Sequence, residues 1–144
     1  MKIVTDKQGE PPLVWQWLNK QTNLPWSTDL RVIGLMRDDF TFAAAIGYNG
    51  WVEDSCCFIH LAFDTPRSMT RELIREAFSY PFKTVDVIYG MTPITKENIL
   101  AFNRRMGFRE IHRTNHFVLQ EMRKEECRWL KGVARGQRIS TSRT

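Results

Sequence analysis

Val85–Ile111, VDVIYGMTPITKENILAFNRRMGFREI, alternates between the two-residue and 3.6-residue apolar periods. Val85, Val87 and Ile88 are β-branched and bounded by turn formers, the pattern of a buried strand. Ile99, Leu100, Phe102, Asn103 and Met106 recur at helical spacing, with Arg104 and Arg105 on the polar side. Gly107 stands where a helix C-terminus takes the left-handed conformation, and Phe108 is placed to pack back on the last turn. The stretch is therefore a strand, a loop, a helix ended by glycine, and the start of another strand.

Working outward, SCCFIHLAFD (55–64) is nearly all apolar, as a central strand covered on both faces is. Thr65-Pro66 ends it, Thr70 is an N-cap for the helix RELIREAF, and Tyr80-Pro81 stops that helix. LRVIGLMR (30–37) and FTFAAAIGYN (40–49) read as antiparallel strands joined at Asp38-Asp39, with Asn49-Gly50 as the next turn. After Pro11-Pro12, the residues Leu13, Val14, Trp17 and Leu18 form one apolar face of an opening helix. EIHRTNHFVLQEM (110–122) supplies two last strands around Thr114-Asn115. The order predicts an α/β domain: a mixed, mostly antiparallel central sheet flanked by helices.

At 144 residues the chain fits one domain, read here as 1–131, with a polar, cationic tail at 132–144 expected to be disordered. No apolar run approaches the ~20 residues that span a bilayer, so no membrane partner is expected. The N-terminus lacks the apolar stretch of a secretion signal. Cys56, Cys57 and Cys127 match neither a disulfide framework nor a zinc spacing, which predicts reduced thiols in the cytoplasm and no metal site. Residues 1–121 hold 14 Lys+Arg and 14 Asp+Glu, so the formal excess of +5 lies wholly in the C-terminal piece. A neutral body with a basic end gives little reason to expect nucleic-acid binding.

The run of helix, basic residues, Gly-Phe and Arg at Glu97–Arg109 resembles the second half of GNAT N-acetyltransferases, which move acetyl groups from acetyl-CoA to amines. The phrases IGL (33–35), YNGW (48–51), HLA (60–62), YPF (80–82), RRMGFRE (104–110) and EECRWL (125–130) are together similar to small members of that family from bacteriophages and prophages. The resemblance implies a GNAT-like fold, acetyl-CoA as co-substrate, and direct attack of a primary amine on the thioester. It also implies a pantetheine arm along the central strand at His60, Leu61 and Ala62, and a pyrophosphate on the loop Arg67, Ser68, Met69, Thr70 and Arg71. The family's loop glycines fall on Thr70 and Glu72. Its helix-opening Asn falls on Lys96, with Asn98 two residues later as a further cofactor contact. The family's tyrosine that protonates the departing thiolate falls on Asn103, whose amide hydrogen-bonds but donates no proton as an acid.

For the base, His60 has an ordinary pKa close to working pH, and Glu53 lies just ahead of the same strand. Strand alternation sets Cys56, Phe58, His60 and Ala62 on one face, so His60 reads either as a base or as a hydrogen-bonded core residue. A Cys56–His60 nucleophile is the weaker pairing. Tyr48, Tyr80 and Tyr89 offer hydroxyls with no assigned place, and Trp26 and Trp51 sit in loops suited to an acceptor cleft. The acceptor stays open between a protein, a small molecule and an aminoacylated RNA, and a homodimer is compatible with the reading. The rival is a non-catalytic binding protein on the same scaffold that docks on a host protein or nucleoprotein.

Overall fold

The two-residue and 3.6-residue periods of the sequence resolve into seven strands and three helices in a computed structural model, which describes residues 1–5 and 13–130. In chain order these are β1 (Lys2–Thr5), α1 (Leu13–Thr22), β2 (Arg31–Met36), β3 (Phe42–Val52), β4 (Cys56–Phe63), α2 (Arg71–Ser79), β5 (Val87–Pro93), α3 (Glu97–Met106), β6 (Arg109–Arg113) and β7 (Phe117–Arg123). The strands form one sheet in the order β1-β2-β3-β4-β5-β7-β6. Every neighbouring pair is antiparallel except β4–β5, which is parallel. The expected mixed α/β architecture is present. Pro11-Pro12 and the 132–144 tail lie outside the described residues.

Alternation along the strands sends their apolar residues to two cores. Ile33, Ala44, Ile46, Cys57, Ile59, Leu61 and Ile88 face α2 and α3, where Leu73, Phe78, Phe102 and Met106 close the larger core. Val32, Ala45 and Ala62 face the other way, under Val14 and Leu18 of α1. Gly34 and Gly47 let α1 lie close: a Cβ at 47 would stand 2.8 Å from Leu18 Cδ2, and one at 34 would stand 3.0 Å from Val14 Cγ1. The helix stops follow the sequence. Gly107 has φ +119° and Phe108 N–H donates to Asn103 O at 3.0 Å, while Thr70 Oγ1 accepts from Leu73 N–H at 3.2 Å.

Two expectations about the strands are corrected. Asn49-Gly50 is not the turn after β3; the strand runs on to Val52, with a bulge between Asn49 and Val52 and the turn at 53–55. The Asp29 carboxylate accepts from Gly50 N–H at 2.8 Å and Trp51 N–H at 3.4 Å, pinning the bulge where Gly50 takes the left-handed conformation, φ +64°. The central strand is not covered equally on both faces: Cys57, Ile59 and Leu61 are buried, whereas Cys56, Phe58 and His60 are partly exposed. The short strand β1 was also not foreseen, because four residues carry too little period to be seen before their pairing with β2.

Candidate active site

The β4–β5 pairing is short. Its register covers Cys56↔Val87, Cys57↔Ile88 and Phe58↔Tyr89, and ends there. Beyond that point β4 stays with β3 and β5 stays with β7, so the two strands part inside the sheet. A cleft of about 250 Å³ lies in the gap. Its walls are Ile59–Phe63 of β4, Met91–Pro93 of β5, Lys96, Asn98, Ile99 and Asn103 at α3, and Gln21 and Thr22 at the end of α1. Because α1 and α3 cover opposite faces, the cleft passes through the sheet rather than resting on it. Two reactants entering from opposite sides would meet at the parting strands.

Of the predicted site residues, His60, Leu61, Ala62, Asn98 and Asn103 line this cleft. His60 is partly buried, and its Nε2 lies 2.8 Å from Asn49 Oδ1. An Asn oxygen only accepts, so this contact places the proton on Nε2 and leaves Nδ1 as the lone-pair nitrogen. Burial pushes the imidazole down to about 4 from 6.5, so it is neutral at pH 7. Asn103 is buried on α3, and its Nδ2 donates to Gln120 Oε1 on β7 at 3.0 Å.

Glu53 lies elsewhere, in the exposed turn before β4, at the strand end opposite the cleft. Arg67 and Arg71 are exposed on the segment that follows the cleft end of β4. Pro66–Ser68 forms a 3₁₀ turn there, with Ser68 N–H on Thr65 O, Met69 N–H on Pro66 O and Thr70 N–H on Ser68 O. The expected free amides of this loop are thus largely used internally. Ser68 and Met69 are buried beneath it, and Thr70 caps α2. The N–H groups of Arg67, Arg71 and Glu72 are not used in these loop bonds, and the last two lie in the first turn of α2, where partial positive charge gathers. Thr70, where a glycine was expected, has φ −67°, so the tightened turn asks for no left-handed residue.

Neither Trp26 nor Trp51 lines the cleft, and Trp51 lies within β3 rather than in a loop. Trp26 packs edge-on against Trp15 at 5.7 Å, and Trp51 sits against Tyr48 and Tyr80. Tyr48 is fully buried, its hydroxyl donating to Ala77 O at 2.7 Å, and Tyr89 packs on Phe58 at 5.6 Å. None of Tyr48, Tyr80 and Tyr89 lines the cleft. Burial pushes the Cys57 thiol up to about 12, which leaves it an inert core residue. Gln120 was missed. The signal was present, because Val118, Gln120 and Met122 alternate onto the buried face of β7, where an amide is out of place. Among the described residues no group of His, Cys, Asp and Glu is arranged to hold a metal ion, and no helix is long and apolar enough to cross a membrane.

No protein-family model and no curated protein sequence matches the chain. Solved structures do match. A chimera of spermidine N-acetyltransferase SpeG from Vibrio cholerae and hSSAT aligns with a TM-score of 0.65 at 11% identity, over 90% of this chain and 99% of that one. The Campylobacter jejuni N-acetyltransferase PseH in complex with acetyl coenzyme A aligns with a TM-score of 0.59 at 12% identity, over 85% and 98%. V. cholerae spermidine N-acetyltransferase in complex with CoA and spermine gives 0.62 at 11%, over 90% and 97%. At these identities the likeness shows the fold, which is the GNAT acyltransferase fold.

Proposed function

We propose that this chain is an acetyl-CoA-dependent N-acetyltransferase that receives acetyl-CoA on the α3 side of the parted sheet and a primary amine on the α1 side. The observation that carries the reading is the through-sheet cleft, which opens where β4 leaves β5 and is lined by polar groups from both layers. Acetyl-CoA supplies the thioester, and the chain supplies position and a dry surround. The backbone of Leu61 and Ala62, unpaired toward β5, suits the amides of a pantetheine arm. Arg67, Arg71 and the first turn of α2 suit the pyrophosphate. Asn98 and Asn103 reach the arm from α3.

His60 is assigned to the amine, as an orienting acceptor rather than a strong base. Moving a proton from an alkylammonium with pKa ~10.4 to an imidazole at about 4 runs uphill by about 9 kcal/mol. The amine therefore enters neutral, donates to His60 Nδ1, and gives up its proton only as the N–C bond forms and its nitrogen becomes acidic. Glu53, at the far end of β4, has no part in this assignment.

The test is a calorimetric titration with acetyl-CoA, followed by thiol release over a panel of primary amines. Binding in the micromolar range and amine-dependent CoA release are expected. A protein that folds but binds no acetyl-CoA would favour the rival reading, a non-catalytic scaffold. That reading draws on one observation, the internal use of the loop amides of Ser68, Met69 and Thr70. The bacteriophage-type subgroup rests on the sequence phrases alone, with no counterpart among the structures named above.

A further inference from the structure

Asn103 and Gln120 are the most deeply buried amide side chains among the described residues, 2% and 1% exposed. Their single bond leaves Asn103 Oδ1 and Gln120 Nε2 buried without a partner. An apolar pair of the same volume would avoid that desolvation penalty, so stability alone does not account for the two amides. Their position is specific. Gly90 is in register with Gln120, and a Cβ at 90 would stand 3.7 Å from Asn103 Nδ2 and 3.8 Å from Ile59 Cγ2. Gly90 and Ile59 are the first residues past the last β4–β5 pair, so the Asn103 amide sits at the point where the strands part.

We propose that Asn103 and Gln120 form a reversible amide couple that binds the sulfur of CoA, with Gln120 as the positioning residue; this rests on the acetyltransferase reading. Each side chain carries both an NH₂ and a C=O, so their one bond can run in either direction. With Asn103 donating to Gln120, Asn103 presents its oxygen. With Gln120 donating to Asn103 Oδ1, Asn103 presents its NH₂ instead. One bond is kept in both states, and the ligand selects between them. Transfer forms the N–C bond, breaks the C–S bond and leaves the electron pair on sulfur, while the amine proton passes to solvent. Asn103 Nδ2–H then donates to the thiolate, and Gln120 holds the amide in that orientation. No proton is transferred from the amide, and CoA takes one from solvent on release.

The experiment compares CoA with desulfo-CoA, which bears hydrogen in place of the thiol, by calorimetry at pH 7 and pH 9. The unmodified protein should prefer CoA by about tenfold at pH 9, where the thiol ionises, and less at pH 7, the size of one charge-assisted hydrogen bond. Gln120→Met should bind desulfo-CoA as tightly as the unmodified protein and lose the preference, and Asn103→Leu should lose the preference whatever its affinity for desulfo-CoA. Gln120→Leu, which likewise offers Asn103 no partner, should lose it too and serves if Gln120→Met fails to fold. A preference that survives in the Gln120 variants, or none in the unmodified protein, would overturn the couple. If the unmodified protein binds neither ligand, the acetyltransferase reading fails first, and the couple with it.

Discussion

His60 sets a testable link between the cleft and stability. Its folded pKa of about 4 lies below the ordinary 6.5, so between those values the unfolded chain binds more protons. Stability from this group is whole above pH 6.5 and is lost as pH falls toward 4, by on the order of 2–3 kcal/mol. His60→Gln keeps an N–H for Asn49 and removes the titration, so Tm measured from pH 7 to pH 4 should fall less steeply than in the unmodified protein. An unchanged slope would place the acid sensitivity at another group. In turnover the same variant should raise KM for the amine, up to about tenfold, with kcat and acetyl-CoA affinity nearly kept. A loss of roughly 10²–10⁴ in kcat would instead restore His60 as a general base. Helical spacing placed Asn103 on the core-facing side of its helix, and the structure adds the cause of its burial, the bond to Gln120 seventeen positions on.

Two elements that border the cleft can each be probed by substitution. The segment after β4 has spent most of its amides on a 3₁₀ turn, so anion affinity there falls to Arg67, Arg71 and the start of α2. Arg67→Ala and Arg71→Ala should each weaken acetyl-CoA binding by about 3- to 10-fold, modest because both side chains are exposed. Titration in rising salt should show the loss shrinking as screening removes the charge contribution. Wild-type affinity in the double variant would put the pyrophosphate elsewhere. On the other face, α1 is seated on Gly34 and Gly47, and its last turn supplies Gln21 and Thr22 to the cleft wall. Gly47→Val pushes a branched side chain into Leu18 and should cost about 1–3 kcal/mol in denaturant unfolding. It should also weaken amine binding while sparing acetyl-CoA, because the displaced helix borders only the amine side.

At the scale of the whole molecule, charge separates this cleft from a polycation site. Among the described residues, its lining contains Lys96 and no Asp or Glu, with His60 neutral. Asp64, the residue that follows β4, is paired with Arg37, and the exposed Glu97 between Lys96 and Asn98 lies outside the lining. A polyamine would therefore meet no counter-charge there, so kcat/KM for a simple monoamine should exceed that for spermidine by about tenfold or more, read by thiol release. Preferential acetylation of spermidine would show that carboxylates outside this lining bind the acceptor. Features that depend on near neighbours were legible in the residues: the helix spacing of α3, its left-handed stop at Gly107, the Thr70 cap and the two faces of β4. Those features are set within a few residues, where period and capping chemistry act. Long-range packing set the rest: Asn49-Gly50 is a bulge pinned by Asp29, Trp51 packs on Tyr48 and Tyr80, and β4 and β5 part after three pairs. It also set Gln120 against Asn103. Each of these depends on which strand lies beside which and in what register, and a two-residue period is the same for every register that keeps one face inward.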